Sequence, residues 1–232
     1  MRKDNTAILI PARYESKRFP GKPLCDLGGT SMIQRVVDAC KKTKLPVYVL
    51  TDDVRISNTV KGCDLTIVSD KNFANGTERC ADGIDMISSE YKYFINVQGD
   101  MPDVTVEMIE SCKELLDRYD VSTVFTDLKD NTDPNTVKLI KNDILPYQAL
   151  WCGRGFTGYG DWHLGVYGYR QEALIDYPYL FEPVEEKIEG LEQLRWLKNG
   201  YEIGCTHVEF DGIEINTPND VDEWHKDHFY NL

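Results

Sequence analysis

Short apolar runs recur through the first half of the chain at Ala7–Ile10, Val47–Leu50, Leu65–Val68, Tyr93–Val97 and Val121–Phe125. The first four hold almost no polar residues, the pattern of strands covered on both faces. Between the runs, apolar positions fall at helical spacing. Met32, Ile33, Val36, Val37 and Cys40 form one stripe behind Ser31, a helix-capping residue type. Cys80, Ala81, Ile84 and Ile87 form a second, and Met108, Ile109, Cys112, Leu115 and Leu116 a third. This alternation predicts right-handed βαβ units and an α/β fold with a doubly wound, mostly parallel sheet.

The second half changes character. Leu164–Tyr169 reads as a strand, then a helix turns Ile188, Leu191, Leu194 and Leu197 inward, and Tyr201–Val208 reads as a further strand. The last helix opens with Thr217 as cap, Pro218 at the first helical position and Asp220 near the third. Residues 141–160, with four glycines, read mostly as loop.

Charge narrows the function. The chain carries 26 basic and 39 acidic residues, a net charge of −13, which disfavours nucleic acid or an anionic membrane as main partner. No stretch approaches the roughly 20 apolar residues of a membrane span. The seven cysteines show no CxxC, and the opening MRKDNTAILIP has too short an apolar run for a signal peptide. Buried, reduced thiols in a cytoplasmic protein are the expectation.

Against that acidic background, ILIPARYESKRFPGKPL at residues 8–24 stands out. Arg13, Lys17, Arg18 and Lys22 crowd a turn stiffened by Pro20, Gly21 and Pro23, directly after the first strand. Guanidinium forks and an ammonium suit phosphate oxygens, and a stiff turn loses little entropy on binding; the alternative is a solvated turn. NVQGDMP places Asp100 just past a buried strand, where a carboxylate could ligate Mg2+ together with substrate phosphates. Alternatively, Asp100 caps a helix beginning near Pro102 and Asp103. TDD at residues 51–53 and NFANGTER at residues 72–79 follow the second and third strands, so all four clusters fall on the carboxyl edge where open α/β sheets bind ligands.

The ordered set PARYESKRFPGKPL, TDD, NGTER, NVQGD, HLGVYGYR, LEQLR and NTPND resembles the 3-deoxy-manno-octulosonate (Kdo) cytidylyltransferases, the CMP-Kdo synthetases. The likeness covers most of residues 7–222 and weakens across 141–160. It implies a fold of nucleotide-diphospho-sugar transferase type. It also implies a reaction, in which CTP is joined to the anomeric hydroxyl of a 2-keto-3-deoxy sugar acid and pyrophosphate is released with Mg2+ assistance. Carried over residue by residue, Pro11, Ala12, Arg13, Ser16, Arg18, Lys22, Thr51, Asp52, Asn75, Gly76, Thr77 and Glu78 would surround the nucleotide. Arg13, Lys22 and Asp100 would serve catalysis, and Asp100 and Asn216 the metal. Gln98, His163, Tyr167, Glu192 and Gln193 would line the sugar-acid pocket. The resemblance further implies a nucleotide-binding core over 1–130, a sugar-acid and dimerisation region over 131–210, a C-terminal segment over 211–232 returning to the core, a homodimer, and a role in lipopolysaccharide biosynthesis.

Several positions depart from the family pattern. Asn216 stands where the family has aspartate, Asn75 where it has serine, and Met101 where it has glutamate. Asparagine offers a metal a carbonyl oxygen without charge; Asp211 or Glu214 could supply the missing carboxylate. The stretch before HLGVY keeps only Arg154 as a basic residue, which leaves the acceptor open to an 8-amino or otherwise modified Kdo. Read without the resemblance, Tyr167 and Tyr169 are packing residues, His163 a structural histidine, and Glu192 and Gln193 an exposed helix face. Two other functions keep the fold: a nucleotide-sugar-dependent glycosyltransferase and a non-catalytic nucleotide-binding protein.

Overall fold

The computed structural model describes residues 5–16, 18–87, 89–128, 136–156 and 158–229. Lys17 of the basic turn, and the start of the 131–210 region, lie outside the described residues. The strands are β1 (Thr6–Ala12), β2 (Val47–Thr51), β3 (Leu65–Val68), β4 (Tyr93–Val97), β5 (Val121–Thr126), β6 (Lys138–Lys141), β7 (Tyr147–Gly153), β8 (Asp161–Arg170) and β9 (Ile203–His207). The helices are α1 (Met32–Lys41), α2 (Val54–Thr59), α3 (Gly76–Gly83), α4 (Val106–Leu115), α5 (Gln171–Asp176), α6 (Val184–Glu189), α7 (Gln193–Lys198) and α8 (Pro218–Phe229).

Among the described residues, the nine strands join one sheet in the order β3-β2-β1-β4-β8-β5-β9-β7-β6. The first four pair in parallel, as the apolar runs predict. The sheet as a whole is mixed, because β8 inserts antiparallel between β4 and β5. Beyond β5, β9 pairs in parallel, and β7 and β6 return antiparallel. β6 also pairs with the start of β8, so β8, β5, β9, β7 and β6 close into a ring. The β6–β7 hairpin occupies much of the stretch read from sequence as loop. Its short strands, a register shift and flanking glycines hide the alternation that would announce it.

Alternation along β1 sorts the core. Ile8 and Ile10 pack under α1 and α4, while Ala7 and Leu9 face the layer of α3 and α5. A smaller cluster of Leu27, Met32, Ile215 and Trp224 fastens α8 to the core. Trp224 donates its indole N–H to Asp103 at 2.9 Å, and Asp103 also accepts from the Ile213 amide at 3.1 Å. Asp103 is thereby the clasp that brings the C-terminal segment back beside β4.

Local expectations meet mixed outcomes. The helix expected to bury Ile188 is two helices, α6 and α7, broken at Gly190 with φ 65°. Ile188 points to solvent at 77% exposure, while Leu191 and Leu194 are buried. A left-handed glycine resets the helical phase, so one stripe cannot run through it. Ser31 occupies the cap position of α1 but makes no side-chain capping bond. At α8, Asp220 reaches back to the Asn216 and Thr217 amides, both at 2.7 Å. No helix among the described residues is long and apolar enough to cross a membrane.

Candidate active site

The loops after β1, β2, β3 and β4 converge at the carboxyl edge of the parallel strands. After β1 the chain turns back at Gly21, whose φ of 73° lies in the left-handed region and whose amide donates to the Tyr14 carbonyl at 2.9 Å. This reversal sends Lys22 inward. Its Nζ lies 2.7 Å from Asp100 Oδ2 and 2.8 Å from the Ile215 carbonyl oxygen. The basic turn and the carboxylate after β4, 78 residues apart, therefore touch. Asp100 does not cap a helix: α4 begins at Val106 behind Thr105, whose hydroxyl accepts from the Met108 amide.

Neighbouring loops lock to one another. Asp52 accepts from the Tyr14 amide at 2.9 Å and from Arg79 Nη2 at 3.3 Å. Arg79, for which the sequence suggests no role, is buried there against the Phe73 ring. The motif ending NGTER was its only signal. Thr51 is buried beneath Asp53, whose amide it accepts at 3.3 Å. Glycines allow the close approach: a Cβ on Gly99 would stand 3.0 Å from the Pro11 carbonyl and 3.4 Å from the Ala12 Cβ, and one on Gly76 3.1 Å from the Pro11 ring. Arg13 is exposed and Ser16 partly so.

The C-terminal segment crosses this edge. The Ile215 amide donates to the Asp100 carbonyl at 3.0 Å, and Arg18 Nη2 donates to Asn216 Oδ1 at 3.2 Å. Of the two carboxylates that could stand in for an aspartate at position 216, Asp211 is exposed. Glu214 lies near Asp100, with its Oε1 3.6 Å from where a Cβ on Gly165 would be. Loss of hydration and the Asp100 charge push its carboxyl up to about 7, against the pull of Lys22, Arg154 and the Gly165 amide. Among the described residues, no group of three or more His, Cys, Asp or Glu is arranged as a metal cage.

The second half meets the same edge through the Glu192 turn. Asn75 caps α3 by accepting from the Glu78 amide at 2.9 Å. Glu192 Oε2 accepts from the Thr77 amide at 2.9 Å, and its Oε1 from Gln98 Nε2 at 2.7 Å. Burial pushes the Glu192 carboxyl up, while its bonds to Thr77 pull it back. Tyr167 donates to Gln193 Oε1 at 3.1 Å. Glu192 and Gln193 are buried, so the exposed-face reading of this pair is overturned. His163 is buried as well, 3.0 Å from Thr123 Oγ1 and against the Tyr167 ring. Burial, with Arg154 nearby, pushes its imidazole down to about 3, so it is neutral at physiological pH.

A strand-edge site with clustered cations, a carboxylate and a second-half wall defines a nucleotide-handling α/β enzyme. The same architecture occurs in a solved CMP:2-keto-3-deoxy-manno-octonic acid synthetase complexed with CTP, with a TM-score of 0.85, 29% identity and coverage of 98% of this chain and 99% of that one. The profile of the cytidylyltransferase family matches residues 7–203, and the chain belongs to that family of nucleotidyltransferases. It is 35% identical to the 3-deoxy-manno-octulosonate cytidylyltransferase of Parabacteroides distasonis, over 93% of this chain and 94% of the relative. It is 36% identical to the 8-amino-3,8-dideoxy-manno-octulosonate cytidylyltransferase of Shewanella halifaxensis, over 94% and 96%.

Proposed function

We propose that this chain transfers the cytidylyl group of CTP to Kdo or its 8-amino analogue, giving CMP-sugar and pyrophosphate for lipopolysaccharide synthesis. The observation that carries the reading is the 2.7 Å contact of Lys22 with Asp100, which unites the two clusters a phosphoryl-transfer site needs. Arg13, Ser16, Arg18 and Lys22 hold the triphosphate, with Pro11, Ala12, Thr51, Asp52 and the Asn75–Glu78 loop around the nucleoside. Gln98, Tyr167, Glu192 and Gln193 orient the sugar acid, and His163 packs against the Tyr167 ring. The acceptor hydroxyl oxygen bonds to the α-phosphorus as the α–β bridging bond breaks and pyrophosphate leaves. The hydroxyl proton passes to the acceptor's own carboxylate.

The donor set fits Mg2+. It consists of hard oxygens, and the Lys22 ammonium between Asp100 Oδ2 and the Ile215 carbonyl marks a place that accepts positive charge. Asp100 and the Asn216 carbonyl oxygen would hold the ion, with Glu214 supplying the carboxylate that Asn216 lacks. Bound Mg2+ would supply Lewis-acid neutralisation of phosphate charge. The exposed Tyr179 and Phe181, at 86% and 73%, support a homodimer formed through the second half. The seven free cysteines fit a cytoplasmic setting.

Pyrophosphate release from CTP with Mg2+ and a panel of 2-keto-3-deoxy sugar acids tests the reading. Release only when Kdo or its 8-amino analogue is present is the expected result. CTP binding without release under any acceptor defeats it, and dependence on a nucleotide sugar would make the protein a glycosyltransferase.

A further inference from the structure

Resting on the cytidylyl-transfer reading, we infer that Tyr177 and Arg195 are positioning residues that couple the nucleotide loop to the acceptor-side turn, so that each substrate tightens the binding of the other. Both side chains are buried, and neither belongs to the substrate-facing set above. The Tyr177 hydroxyl accepts from Asn75 Nδ2 at 2.8 Å and lies 3.2 Å from the Glu192 carbonyl oxygen and 3.3 Å from Glu186 Oε1. A phenol has one proton to give, so the nucleotide loop donates to Tyr177 while Tyr177 donates towards the acceptor side.

Arg195 makes the parallel link. Its Nε and Nη2 grip the two oxygens of Glu186, both at 2.7 Å, and its Nη1 reaches Glu78 Oε1 at 2.9 Å. The other Glu78 oxygen accepts from the Ala74 amide at 2.8 Å. The guanidinium also stacks on the Tyr177 ring at 4.3 Å. With the direct bond from the Thr77 amide to Glu192, three links tie the Ala74–Glu78 loop to the Glu192–Arg195 turn. Parting loop from turn would strip Glu78 of its Arg195 partner and leave the buried Glu192 carboxylate without the Thr77 amide, which makes independent movement costly. Two sites joined through an element that moves as one are energetically coupled, and the coupling is reciprocal.

The link also gives Asn75 a reason to depart from the family serine. A serine hydroxyl would still cap α3, but it is one bond shorter than the Asn75 amide that spans to Tyr177 and, at 3.2 Å, to Glu186.

Calorimetric titration of CTP, alone and with a saturating sugar-acid analogue lacking the anomeric hydroxyl, tests the coupling without turnover. The wild-type protein should bind CTP about fivefold or more tightly with the analogue present. Tyr177→Phe keeps the ring stack and loses only the hydroxyl; its affinity for CTP alone should stay within about twofold of wild type while the enhancement falls towards one. Arg195→Lys keeps the charge without the fork and should lose the enhancement likewise, with a melting scan confirming the fold. An absent enhancement in wild type, a full enhancement in either variant, or an equal loss of CTP affinity with and without the analogue overturns the inference. A wild-type protein that binds CTP but releases pyrophosphate with no sugar acid instead overturns the reading beneath it.

Discussion

The two sides of the proposed site are held by different means. On the side of the basic turn, the turns after β1 and β4 present partly or fully exposed charges: Arg13, Arg18, Lys22 and Asp100. Their positions depend on backbone bonds, glycine-permitted contacts and a few partly exposed side-chain bonds such as Lys22 to Asp100. On the side built by the second half, Glu186, Glu192, Gln193 and Arg195 are buried: Arg195 and Glu186 fix each other through charged hydrogen bonds, Glu192 is held by the Thr77 amide and Gln98, and Gln193 by Tyr167. Exposed charges stay hydrated until a ligand arrives and can follow a flexible polyphosphate; buried charges hold a shape but need every partner in place. Losses on the first side should therefore appear as lost function, and losses on the second as lost function and stability together.

The largest expected effect sharpens the first half of that contrast. Asp100→Ala should lower turnover by about 10²- to 10³-fold, with little change in the unfolding midpoint. Full turnover at saturating Mg2+ would break the assignment. On the other side, Arg195→Met strands Glu186 and Glu78 and should cost about 3–5 kcal/mol in urea unfolding. A near-neutral result would mean that the buried side tolerates loss as the exposed one does. Lys22→Ala should weaken CTP binding about ten- to a hundredfold, and an unchanged titration would remove the ammonium from the triphosphate site.

Two smaller effects concern protons. Glu214, raised from the usual carboxylate range to about 7, makes the native protein bind more protons than the unfolded chain between those limits. Stability should fall as pH rises through that window, and Glu214→Gln should flatten the slope. Urea titrations at pH 5 and pH 8 read the difference; equal slopes would mean that the carboxyl is ordinary. His163, pushed down to about 3, binds fewer protons when folded, so its stabilising share is lost only as pH falls below its unfolded value. Its imidazole NMR signals should stay constant from pH 5 to pH 8.

The same contrast decides what the chain discloses before folding. The strands β1 to β4 are near-continuous apolar runs, and strand polarity alone puts the ensuing loops on one edge. The meeting of Lys22 with Asp100 is thus readable from the order of segments. Arg195 and Tyr177 gave no such sign, because a buried arginine and an exposed one look alike in a row of letters; only three-dimensional neighbours distinguish them. The β6–β7 hairpin and the break at Gly190 were hidden for a related reason. Short strands with irregular register and a mid-segment glycine leave too few residues to establish a period. Tertiary pairing, not local propensity, sets them.

The insertion of β8 between β4 and β5 has a consequence for how the protein is made. While residues 161–170 are still inside the ribosome, β4 and β5 lack their shared neighbour and each offers a row of unpaired amides and carbonyls. Closing the middle of the sheet must wait for a strand some 40 to 70 residues downstream, a long-range pairing of the slow, aggregation-prone kind. Expression at lowered temperature or with added chaperones should therefore raise the soluble yield, and fragments ending near residue 130 should precipitate rather than fold.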